Sequence, residues 1–170
     1  MIDYTDLIIA LDNKLKEFNY VMDPQITIPN IQYVSYINDR SIFKVKNLCS
    51  VIDLPDNMID LNTARNFMQF LKKSLLEQYG DAFLWKELEM CFVVLCNDKL
   101  YASLKNNNGK IMDETSFSLS AMLGTCFINK EAIDAFSVST WGVYFSGDHF
   151  KAIDGIVKRW SDEKKKAHEN

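Results

Sequence analysis

The ten residues Glu87–Cys96, ELEMCFVVLC, decide how the chain is read. Every residue from Met90 to Cys96 is apolar. A strand with one face in water alternates apolar and polar residues, because successive side chains point to opposite faces. An unbroken apolar run instead predicts a strand covered on both faces, at the centre of a sheet.

On the N-terminal side, Thr63–Tyr79 reads as the clearest helix. Ala64, Phe67, Leu71 and Leu75 form its buried stripe, flanked by Met68 and Leu76. Asn62 or Thr63 is expected to cap its start, and Gly80 to end it. A helix of this length between two hairpin candidates should lie across a sheet. Before it, Ile31–Ile37 reads as a strand, Asn38–Arg40 as a turn and Ser41–Ile52 as the return. Alternation fails after Val45, which predicts a bulge or a short break near Asn47. An opening helix is expected over Asp3–Phe18, from Tyr4, Leu7, Ile8, Leu11, Leu15 and Phe18. Pro24 and Pro29 make Asp23–Asn30 a connection.

On the C-terminal side, Asn97 and Asp98 read as a turn into a further strand at Leu100–Leu104. Asn106–Gly109 is the strongest turn signal, because Asn and Gly tolerate positive φ. Phe117, Leu119, Ala121 and Leu123 alternate as a strand, with a bend or bulge at Gly124. Asn129 is expected to cap a short helix through Ala135, and Val138–Phe145 reads as the last strand. Ser146 or Asp148 should cap a final helix reaching about Trp160, with Phe150, Ile153, Val157 and Trp160 as its stripe. Gly155 weakens that helix by up to ~1 kcal/mol relative to Ala.

The order predicts an α+β fold. A single, mostly antiparallel sheet of about five to six strands would carry a long central helix and the N- and C-terminal helices. No repeated strand–helix–strand pattern is apparent. Residues 1–160 read as one domain, and 161–170 as a charged, disordered tail.

Composition narrows the function classes. The 170 residues are 48% hydrophobic and 25% charged, which are ordinary globular values. The net charge of -4 argues against a nucleic-acid binder, which needs a positive field. No apolar run reaches the roughly 18 residues of a membrane helix, and the opening Asp3 and Asp6 do not resemble a secretory leader. The expectation is a cytoplasmic protein. Cys49, Cys91, Cys96 and Cys126 sit in apolar contexts without a CxxC pair, so free buried thiols are expected. With two His in the chain, a zinc site is not expected.

Catalytic motifs are missing from the sequence. There is no GxGxxG, no Walker loop, no HExxH and no GxSxG, and no cofactor is expected. The segment worth weighing is Trp141–Phe150, WGVYFSGDHF. His149 could act as a general base, since an imidazole titrates near neutrality. Asp148 could not orient it, because adjacent helical side chains diverge. Cys126 is the candidate thiol partner for His149, and needs exposure and a lowered pKa to react. The acidic pairs Glu87/Glu89 and Asp113/Glu114 read as solvated edges.

Thr115–Gly147 carries only Lys130, Glu131 and Asp134 as charged residues. If part of it is exposed, Phe136, Trp141, Tyr144, Phe145 and Phe150 would be aromatic anchors of a contact surface. Composition and missing motifs favour a non-catalytic domain that binds another protein, in the manner of an adaptor, secretion chaperone or inhibitor. A small hydrolase or transferase, using His149 with a Cys or carboxylate, is the alternative. A structural subunit that self-associates, for example as a homodimer, is the third class.

Overall fold

The computed structural model describes residues 3–38, 46–80, 88–107, 120–139 and 143–169, with backbone alone for 38, 120–123, 143–147 and 169. Its elements are α1 (Thr5–Glu17), β1 (Val21–Met22), β2 (Ile31–Asn38), β3 (Lys46–Asp53), α2 (Leu61–Tyr79), β4 (Leu88–Cys96), α3 (Asp98–Asn106), β5 (Ser120–Asn129), β6 (Ala135–Ser139) and α4 (Val143–Glu169). The strands form one sheet in the order β1-β2-β3-β4-β5-β6. The expected α+β class, single sheet, long helix and terminal helices are present. Antiparallel pairs outnumber parallel ones, three to two, but the parallel pairs β3–β4 and β4–β5 form the middle.

This middle is built from two successive strand–helix–strand crossovers, which the sequence reading missed. Crossovers of one hand that step in one direction place their helices on the same face. Accordingly, Ala64, Met68, Leu71 and Leu75 of α2 and Leu100 and Leu104 of α3 share one core, with Leu48, Ile52, Met90, Phe92 and Val94 of the sheet. The opposite face needs another cover. There Leu7, Leu11 and Leu15 of α1 and Phe150, Ile153, Val157 and Trp160 of α4 pack on Cys49, Val51, Cys91, Val93 and Cys126. All nine residues of β4 are buried, as its apolar run implied.

Several expectations change. Leu100–Leu104 is helical: the Asn97 side chain accepts from Leu100 N at 2.9 Å and starts α3. Asn129 does make a cap-like bond, its Oδ1 accepting from the N–H groups of Glu131 and Ala132. That turn goes no further, because Ile133 adopts φ 49 and the chain returns as β6. The last strand therefore ends at Ser139, and Tyr144, Phe145, Ser146 and Asp148 lie within α4. α2 is capped by Asp60, ahead of the expected Asn62 or Thr63, and the Asp60 carboxylate accepts from Thr63 N at 2.8 Å.

The phase break in the second strand is neither a bulge nor a break at Asn47. β3 pairs in unbroken register with β4 and is buried from Asn47 to Ile52, so it has no reason to alternate. The β2–β3 register shifts between Ile31 and Tyr33 instead. Gly124 does mark a bulge, where β5 slips against β4 between Met90 and Cys91. A Cβ at Gly124 would lie 2.4 Å from the Phe150 ring, so the glycine is what lets α4 sit down on β5. Of the expected turn at 38–40, Asn38 closes β2. Asp39, Arg40, residues 41–45, Asn108, Gly109 and the strand start at Phe117 lie outside the described residues.

The expected tail from 161 is also helical, through Glu169. Ser161 Oγ donates to Ile133 O at 2.8 Å, Lys165 bonds Asp134 at 2.6 Å and Lys164 bonds Asp6 at 3.0 Å. Midway along α4, an added Cβ at Gly155 would meet nothing within 4 Å. Gly155→Ala should therefore stabilise the protein by about 0.5–1 kcal/mol, through helix propensity alone. Thermal unfolding checks this, and a lowered midpoint would show a close contact that the structure lacks.

Candidate functional site

Two clusters of described polar side chains bear on the candidate site: one at the carboxyl ends of the parallel strands, and one where the chain leaving α1 meets α4. In open parallel sheets, ligands bind outside the carboxyl ends, where strand order reverses. Here β3, β4 and β5 follow in sequence with both crossover helices on one face, so the order does not reverse there. A side-chain network ties these ends together. Lys130, after β5, donates to Asp53 Oδ1 at 2.9 Å, to Leu54 O at 2.8 Å and to Asp56. Burial favours its neutral amine, but the Asp56 and Asp53 bonds outweigh this and raise its pKa. Asn97 Nδ2 donates to the carbonyls of Asp56 and Met58 at 2.8 and 2.9 Å. Asn129 Nδ2 donates to Asp98 Oδ1 at 2.8 Å. These bonds tie the ends of β3, β4 and β5 to one another, and the network reads as structural.

Asp134 anchors the flank of this network. It accepts from Tyr101 at 2.8 Å, Lys105 at 3.0 Å and Lys165 at 2.6 Å. Burial pushes its pKa up, but the bonds from Lys165, Tyr101 and Lys105 outweigh burial and hold it below the usual carboxylate range. A depressed carboxylate contributes stability above its unfolded value near 3.8, and loses it as pH falls through the folded value. Asp134→Asn should thus destabilise the protein at neutral pH and flatten the loss of stability below about pH 4. Urea unfolding at a series of pH values checks this. Parallel curves for the two proteins would contradict it.

The second cluster contains His149. The last turn of α1 closes with Asn19 at φ 64, where Asn19 N bonds Lys16 O and Tyr20 N bonds Leu15 O. This is the Schellman pattern, with Asn tolerating the left-handed position. It directs Tyr20 inward, 4% exposed, and its hydroxyl lies 3.0 Å from His149 Nδ1. The imidazole also packs on Phe18, ring centroids 4.4 Å apart. Burial drives the Tyr20 hydroxyl pKa upward, and Cys91, Cys49 and Glu89 push it the same way. Glu89, expected at a solvated edge, is buried on β4, because that strand is central and covered on both faces; Asn47 is its register partner on β3. Glu87, Asp113 and Glu114 lie outside the described residues.

Cys126, the expected thiol partner of His149, is fully buried, and burial raises its thiol pKa well above the ordinary value. All four thiols are free and buried, as expected; burial pushes Cys49 and Cys96 up to about 12. A neutral, enclosed thiol is a poor nucleophile. Among the described residues, no group of three or more His, Cys, Asp or Glu could hold a metal ion. No described helix is long and apolar enough to cross a membrane.

The aromatic anchors expected at 136–150 fare differently. Phe150 is a core residue, 5% exposed and seated against Gly124, because α4 begins before it and turns it onto the sheet. Phe136 is half-buried, stacked on Phe127 at 5.0 Å and edge-on to Tyr101 at 5.2 Å. Trp141 lies outside the described residues, as do the side chains of Tyr144 and Phe145.

The exposed aromatic that sequence reading missed is Phe70 of α2, 56% exposed. Its ring centroid lies 6.5 Å from that of Phe67, which is half-buried against the core. The signal was present: Phe70 falls off the stripe set by Ala64, Leu71 and Leu75, where an amphipathic helix normally carries polar residues. Ile9, Val21, Met22 and Ile59 are the other exposed large apolar residues among those described. No family model, curated protein or solved structure matches this chain.

Proposed function

We propose that the chain is a non-catalytic domain that binds another protein, with the outer face of α2 as its contact surface. The observation behind this reading is Phe70, which holds more than half of its surface in water beside Phe67. Scattered exposed aliphatic residues are ordinary, whereas aromatic side chains are enriched at protein contacts. Asn66, Gln69, Lys73 and Glu77 surround it as a polar, exposed rim. A polar rim around an aromatic anchor is the usual anatomy of a protein contact. The satisfied network at the strand ends supports the same reading, since it leaves those groups to structure. Four free buried thiols suit a reducing compartment, and we place the protein in the cytoplasm.

Phe70→Ala should leave stability within about 0.5 kcal/mol of the original, because the ring is largely solvated. The same variant should lose its partner. Adaptor, chaperone and inhibitor roles differ in what that partner is. Self-association through the same face makes the partner a second copy, and sedimentation of both proteins distinguishes this.

A hydrolase or transferase reading has one observation in its favour: the Tyr20 hydroxyl at His149 Nδ1, with buried Glu89 close enough to influence it. That reading needs an activity that disappears in His149→Gln and in Tyr20→Phe while both variants stay folded.

A further inference from the structure

We draw no further inference here: the strongest candidate, the Phe67–Phe70 aromatic pair on the outer face of α2, belongs to the surface already proposed, and nothing in the structure shows what covers it.

Discussion

Phe92→Ala should cost about 3–5 kcal/mol of stability, the range for deleting a fully buried aromatic ring. Phe92 is 0% exposed at the middle of β4, the strand that pairs in parallel on both sides. Its ring belongs to the core under α2 and α3. Truncation removes a ring from the core that residues of both crossover helices share with the sheet, and close-packed surroundings refill such a hole only in part. Urea unfolding measures the effect. The midpoint should fall by more than about 1 M with little change in slope. A loss below about 1 kcal/mol would mean that the ring is not at the centre of the core.

Asn97→Ala should come second, at about 2–4 kcal/mol. Asn97 is 7% exposed and does three things at once. Its Oδ1 caps α3 at Leu100 N, and its Nδ2 satisfies the carbonyls of Asp56 and Met58. A lost cap costs about 1 kcal/mol, and a buried carbonyl left without a donor costs about as much again or more. Asn97→Asp separates the two roles. It keeps an acceptor for the cap but sets a carboxylate against two carbonyl oxygens. It should therefore recover little of the loss at neutral pH. Full recovery by Asp would assign the whole effect to the cap.

How far the fold was legible in the sequence follows from which signals are local. The buried run at Met90–Cys96 and the period of Thr63–Tyr79 were both readable, because burial and helical spacing are written in consecutive residues. Gly124 was readable as a bulge, though its reason, the Phe150 ring, lies on a distant helix. α3 was missed because its buried residues are only Leu100, Tyr101 and Leu104, too few to establish a period. The missed helix concealed the second crossover, and with it the parallel β4–β5 pair. A single residue, Ile133 in a left-handed conformation, separates the observed turn at Asn129 from the expected helix. Nothing in a β-branched side chain announces that choice, which is imposed by the hairpin and by the Ser161 bond to its carbonyl.

The candidate sites were less legible. His149 was singled out from its residue type, and its bond to Tyr20 joins positions 129 residues apart. Cys126 could be recognised as apolar in context but not placed relative to His149. Aromatic composition pointed to 136–150, whereas Phe150 turned inward and Phe70, in a helix read for its core stripe, projects into solvent.

The most direct test of the binding reading is copurification from the native cell, quantified by mass spectrometry, for the original protein, Phe70→Ala and, as a control outside the proposed surface, Lys151→Ala on α4. At least one protein should be enriched with the original and with Lys151→Ala, and lost with Phe70→Ala, all three chains unfolding at similar denaturant concentrations. If nothing is enriched above background, or if the enriched set survives Phe70→Ala unchanged, α2 is not a contact surface and the proposed function is wrong.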